Sequence, residues 1–149
     1  VTTFPLPDPT LHYEGRPVTY AEAIVALARE GRSVTPVLDA DELPFFLDAG
    51  APMDVGLRLK FGHVNTLDEL HPWVSRFGQT PLSVLHTARQ IAASGHLTFT
   101  MLHAMVGAAE TIDLDYLVRA LTLAAQLWAQ LRREFPTLRE LADWLAPAR

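Results

Sequence analysis

Cysteine is absent from the 149-residue chain, which excludes a disulfide framework, a thiolate zinc site, an iron–sulfur cluster and a thiol nucleophile together. Lysine is nearly absent, with Lys60 alone against eleven arginines, a compositional bias that says little about chemistry. Long hydrophobic runs are missing too: nothing approaches the ~18 uncharged apolar residues of a membrane-spanning helix. The opening Val1-Thr2-Thr3-Phe4-Pro5 has neither a basic start nor an apolar run, so no secretory leader is expected and the reading is cytoplasmic, without a membrane. Also missing are a Gly-x-Ser-x-Gly elbow, a phosphate-cradling glycine loop, His-Glu-x-x-His and a calcium loop. No metal, no cofactor and no catalytic residue is therefore expected.

Two absences are local. Residues 70–109 contain no Asp or Glu, only Arg76 and Arg89, yet hold four of the six histidines: His71, His86, His96 and His103. Burial explains such a stretch, because a core has little room for unpaired carboxylates, and an anion-facing surface is the alternative. Proline is absent between Leu82 and Phe135, whereas nine of the eleven prolines lie at or before Pro81. The first half thus reads as punctuated and the second as continuous helix.

A composition of 49% hydrophobic and 19% charged residues at net charge -5 supports one domain over 1–149, with 1–10 a proline-rich extended arm. Leu11 to Tyr13 and Arg16 to Val18 flank Glu14-Gly15 as a small hairpin. Thr19 with Glu22 makes a capping box for a helix Tyr20 to Glu30 closed by Gly31. Ser33 to Leu38 reads as a short strand, Asp41 to Asp48 as a short helix before Gly50, and the alternation of Asp54 to Phe61 as a half-buried strand. Asn65 or Thr66 starts a helix to Arg76. Thr80-Pro81 starts the next, ending at Ser94 before Gly95. Helices are then expected over Leu97 to Ala109, Leu114 to Glu134 and Leu138 to Ala146, the last opened by a Thr137/Glu140 capping box. The fold expected is mainly α: a bundle of five to seven helices, a small β element in the first sixty residues, and a central hairpin of 97–109 packed on 114–134.

The helix 114–134 has the strongest pattern. At 100° per residue, Asp115, Arg119, Thr122, Gln126, Gln130 and Arg133 form one polar stripe and the rest is an apolar arc of about 240°, far wider than the ~100° of a one-sided surface helix. Such a helix is central to its own core or shared with another chain. The leading reading is a non-enzymatic interaction module, a small subunit or adaptor, that dimerises or docks on a protein partner through Tyr116, Leu117, Leu121, Leu127, Trp128 and Leu131, with the aromatics as anchors. A second reading takes the pair of helices around Phe77-Gly78-Gln79-Thr80 as a helix-turn-helix that binds nucleic acid through Arg76, His86, Arg89 and Gln90. Against it stand the sparse basic residues and the negative net charge. A third reading, a small-molecule sensor or enzyme, places a pocket on the strip His96, Thr100, His103 and Glu110. Two histidines seven apart lie ~10.5 Å apart along a helix, too far for one metal.

Overall fold

The computed structural model describes residues 11–13, 16–60, 79–108 and 114–146. Near the amino end, β1 (Leu11–Tyr13) and β2 (Arg16–Val18) pair as an antiparallel hairpin. Helix α1 (Tyr20–Arg29) follows, and Thr19 and Glu22 close the expected capping box, with Glu22 N–H donating to Thr19 Oγ1 at 3.2 Å and Thr19 N–H to Glu22 Oε2 at 3.3 Å. The chain then alternates strand and helix: β3 (Val37–Leu38), α2 (Leu43–Ala49), β4 (Met53–Lys60), α3 (Pro81–Ser94), β5 (Leu97–Ala108), α4 (Leu114–Glu134) and β6 (Glu140–Ala146).

The four later strands form one parallel sheet in the order β3-β4-β5-β6. The molecule is therefore an α/β protein, and the bundle of five to seven helices expected from the sequence is overturned. Two segments account for the difference. The stretch expected as a helix over Leu97 to Ala109 is a strand, β5, over its described residues 97–108, hydrogen-bonded on both sides. A strand buried inside a parallel sheet is apolar almost throughout, and a short apolar run has no period that separates it from a buried helix. Leu138 to Ala146, also expected as a helix, is β6. Its Glu, Leu and Ala favour helices, but a helix here would leave one edge of β5 without partners for its backbone groups, and that demand outweighs propensity. The Thr137/Glu140 pair consequently caps nothing: Thr137 Oγ1 donates to Phe99 O at 2.8 Å, and Glu140 opens the strand. The expected 97–109/114–134 helical hairpin is thus a β5–α4–β6 crossover. The proposed arm 1–10 and the expected helix 65–76 lie outside the described residues.

The remaining elements form where their residue types place them. Thr80 caps α3, its hydroxyl accepting from Ser83 N–H at 3.3 Å, Pro81 occupies the first turn, and Gly95 at φ 80° takes the left-handed conformation that ends the helix. Alternation along β4 sends Met53, Val55, Leu57 and Leu59 to one face, all buried. They join Phe99, Leu102 and Ala104 of β5, Val84, Ala88 and Ile91 of α3, Ala120, Ala124 and Leu131 of α4, and Leu43 and Phe46 of α2 in one core cluster. Each fully buried leucine or valine there contributes about 1.5–3 kcal/mol. Phe99 meets Phe135 edge to face, centroids 5.7 Å apart. The alternate residues Asp54, Gly56 and Arg58 of β4 and Met101 of β5 stand outside that cluster, on the sheet's second face. A side chain at Gly56 would crowd the neighbouring strands, its Cβ lying 3.2 Å from Met101 Cβ.

Candidate functional site

Two places in this fold gather residues beyond what packing needs. The first is the outer side of α4 together with β6. Helix α4 crosses from β5 to β6, and its circumference divides into three by partner. Ala120, Ala124 and Leu131 are buried, with Leu117, Leu121, Leu127 and Trp128 packed against the core. Glu134 reaches sideways to α3, accepting from Arg89 Nε at 2.7 Å and Nη2 at 2.9 Å. On the opposite flank, Trp128 Nε1 donates to Glu140 O at 3.2 Å and Arg132 Nε to Leu138 O at 3.0 Å, so this flank lies along β6. Continuing around the helix past Trp128 and Arg132, within about 60° of arc, come Leu114, Val118, Ala125 and Ala129, all exposed, with Leu114 at 72% and Val118 at 54%.

Beneath that flank β6 pairs with β5 along one edge and has no strand on its other edge among the described residues. An unpaired edge presents a row of free N–H and C=O groups that templates further pairing. At the carboxyl-terminal end of α4, Trp128, Ala129, Arg132, Arg133 and Pro136 line an open groove of about 380 Å³, where the Arg132 guanidinium sits 5.4 Å from the Trp128 ring centroid. An apolar helix flank, a free strand edge and a basic groove therefore run together.

The second place is the carboxyl half of the sheet's second face. Arg58 of β4 and His103 of β5 are register partners, and Arg58 Nη1 donates to Asp39 Oδ2 at 3.1 Å, just beyond β3. The Asp39–Arg58 pair is largely withdrawn from water, with side chains 11% and 22% exposed, and Arg58 Nε is buried with no hydrogen-bond partner. On the helix-covered side, Gln79 extends the sheet beyond the two-residue β3: its N–H donates to Arg58 O at 2.8 Å. Its side-chain oxygen accepts from Ser83 Oγ at 2.9 Å and Thr87 Oγ1 at 2.7 Å, while Nε2 has no partner.

The structure distributes the residues singled out in the sequence as follows. Of the six expected docking residues, Leu131 is core and Leu117, Leu121, Leu127 and Trp128 line it; Tyr116 lies in α4 with its side chain outside the described ones. The exposed apolar flank consists instead of their neighbours Leu114, Val118, Ala125 and Ala129. Both sets lie within the 240° apolar arc, and which part of it is covered depends on the position of β6. Of the nucleic-acid set, Arg76 lies outside the described residues. His86 and Gln90 are exposed on α3, a crossover helix that buries Val84, Thr87, Ala88 and Ile91. Arg89 is engaged by Glu134, which raises the arginine's pKa, chiefly by hydrogen bonding, and lowers that of the carboxyl for the same reason.

The expected pocket strip loses its helical spacing on a strand. His96 precedes β5 and sets its ring nitrogens 3.2 Å from Ser94 O and 3.2 Å from Phe46 O, so it ties α2 to the start of β5. His103 lies roughly 23 Å further along the strand. Thr100 is the buried bulge residue where the register steps from Phe99 to Met101, and its carbonyl accepts from Arg139 N–H at 3.0 Å. Glu110 lies outside the described residues. Asp39 and Arg58 were not singled out, although the alternation of β4 already placed Arg58 opposite Leu57 and Leu59.

Among the described residues no group of three or more His, Asp or Glu is arranged to hold a metal, and no helix is long and apolar enough to cross a membrane. Compared with known proteins, the chain matches no protein-family model and no curated protein.

Proposed function

We propose that the chain is a non-enzymatic protein-interaction and assembly module that docks through the outer flank of α4 and the adjoining edge of β6. The observation that carries this reading is the run of Leu114, Val118, Ala125 and Ala129 left in water beside a strand edge that has no partner among the described residues. Apolar area on a helix contributes association energy, and the backbone groups of the strand supply direction and register. The lack of cysteine suits a reducing compartment, and we place the module in the cytoplasm. Amide hydrogen exchange tests the reading. The amides of β6 that point away from β5 should exchange fast in dilute pure chain and gain protection on concentration or on addition of extract from the source cells. Val118→Glu should remove that protection. If those outward amides are never protected under any associating condition, the reading falls.

A second reading rests on the Asp39–Arg58 pair. A guanidinium whose Nε is buried and unpaired, facing the strand position of His103 near the carboxyl ends of parallel strands, is where open α/β sheets receive small ligands. The ligand class it suits is a small anion. Calorimetric titration with inorganic phosphate and with a dicarboxylate tests it. Heat that disappears in Arg58→Gln supports it, and no heat with either sinks it.

A further inference from the structure

We propose that the docking surface receives a second copy of the chain, head to tail, and that two copies close into one barrel of eight parallel strands. The inference rests on the docking reading above and names its partner. Its basis is the strand order. Four parallel strands lie side by side in chain order, and right-handed crossovers put α2, α3 and α4 on one face of the sheet, where α1 joins them in the core cluster. Among the described residues no helix covers the second face, on which Val37, Asp54, Arg58, Met101, His103 and Ala142 are half-buried, and β3 and β6 each have one unpaired edge. All-parallel sheets are as a rule covered on both faces. Continuing the same order around a closed circle encloses the second face and removes both edges. About eight strands leave an interior that side chains just fill, and one chain supplies half of them.

The two ends of the row fit each other. On α4 the side turned to α3 carries Glu134, and across the core-facing side from it lies the bare flank of Leu114, Val118, Ala125 and Ala129. On α1 the arrangement is reversed. Arg29 Nη2 donates to Ala49 O at 2.8 Å, so that side adjoins α2, while Tyr20, Ala23 and Leu27 lie about 120–180° around the helix from it, with Tyr20 61% exposed. Counted in one sense about the core-facing side, α1 leaves uncovered the side by which α4 holds α3, and α4 leaves uncovered the side by which α1 holds α2. Helix α1 precedes β3 as α4 precedes β6. In the dimer, α1 of one copy therefore roofs the seam where its β3 lies parallel along β6 of the other, and Tyr20 and Leu27 meet Leu114 and Val118. A two-fold axis along the barrel makes this contact twice and closes the ring. The carboxyl mouth then gathers two Asp39–Arg58 pairs, one from each copy, at the end where parallel barrels carry their ligand sites.

Sedimentation equilibrium on the full chain tests the dimer, with far-UV circular dichroism confirming that each variant folds. The wild type should sediment at twice the chain mass. Val118→Glu and Tyr20→Glu, both at exposed positions, should each leave the fold intact and weaken dimerisation about tenfold or more. A glutamate in the first turn of α1 favours the helix dipole, so loss of the dimer in Tyr20→Glu does not come from loss of the helix. Cross-linking reads the arrangement, because the chain has no cysteine of its own. A short bismaleimide should join Tyr20→Cys chains to Val118→Cys chains in a mixture, and neither variant to itself, since the two copies of each position lie on opposite sides of the barrel.

A wild-type chain that stays monomeric at every concentration overturns the proposal, as does a dimer indifferent to either glutamate. Cross-linking of Val118→Cys to itself also overturns it, because α4 would then meet α4 and the strands could not close head to tail. Protection of the outward amides of β6 in extract but not in the concentrated pure chain would overturn the barrel of two copies while keeping the docking reading. No protection in either ends both.

Discussion

At the residue scale, Gln79 and Thr87 show how a buried polar group is held between helix and sheet. Thr87 is 1% and Gln79 5% exposed. The Thr87 hydroxyl has one proton and two acceptors in reach, Gln79 Oε1 at 2.7 Å and Ser83 O at 2.8 Å. A half-turn of the amide would instead set two N–H donors against the Ser83 and Thr87 hydroxyls. In either orientation one amide atom stays buried without a partner, and the other is shared by the Thr87 and Ser83 hydroxyls. Thr87→Val keeps the shape and adds apolar surface but removes one of these two bonds, and it should destabilise the fold by about 0.5–1.5 kcal/mol. Thr87→Ser should retain most of the stability. Urea unfolding of the three proteins decides: a neutral or stabilising valine would show that the bond from Ser83 suffices for Gln79.

Titration at one residue gives a second expectation. Arg89 holds the Glu134 carboxyl below its ordinary value, so the folded pKa is lower than the unfolded one. Its contribution to stability is complete at neutral pH and is lost as pH falls through the ordinary carboxylate range to the depressed folded value. Both groups are exposed, so the effect is small and screened by salt. The stability difference between wild type and Arg89→Ala should be constant near neutrality and shrink in acid. A difference that grows on acidification would contradict the pairing.

At the scale of elements, Thr137 separates a helix cap from a strand lead-in. Aspartate is at least as good a helix N-cap as threonine. In the structure, however, Thr137 donates its hydroxyl proton to Phe99 O, and an aspartate carboxylate there would set an acceptor against an acceptor. Thr137→Asp should therefore cost ~1 kcal/mol or more, measured by denaturant midpoint. A stabilised protein would favour a terminal helix.

Elements whose ends carry local chemistry were legible before the structure: the capping box of α1, Thr80-Pro81 and Gly95 around α3, the alternation of β4, and the extent of α4. Those decided by distant partners were not. Leu97 to Ala108 has no alternation that outlasts Thr100, because both of its neighbours are strands and the register steps at a bulge. Glu140 to Ala146 carries helix-forming residues and becomes a strand only because β5 has an edge to fill. The wheel of α4 leaves open whether its apolar arc is core or docking face, and the structure divides it: Leu121 and Trp128 are half-buried against the core, whereas Leu114 and Val118 are exposed. The ion pair of Arg58 joins residues nineteen apart in sequence, and no local spacing announces it.

At the scale of the whole molecule, strand order and chain order coincide. Four parallel strands lie side by side in the sequence in which they occur, and residues from all four helices meet one face of the sheet in a single cluster. Among the described residues the other face carries Asp54, Gly56, Arg58 and Met101, a mixed set unlike the apolar face against the helices. Within the acid-free stretch 70–109, Gln79, Val84, Thr87, Ala88 and Ile91 of α3 and Leu97, Phe99, Leu102 and Ala104 of β5 are buried, and desolvation excludes carboxylates from those positions.

The same order sets a timetable. β5 begins at residue 97 and β6 at residue 140. A chain growing from its amino end therefore holds the central strand half-paired until about forty more residues have been made, an interval of about 2–9 s at ribosomal speed. Helix α4, whose contacts are local, needs about a microsecond to form. It is in place over β5 long before the last strand arrives, and β6 then has one open edge to join and a helix already roofing it.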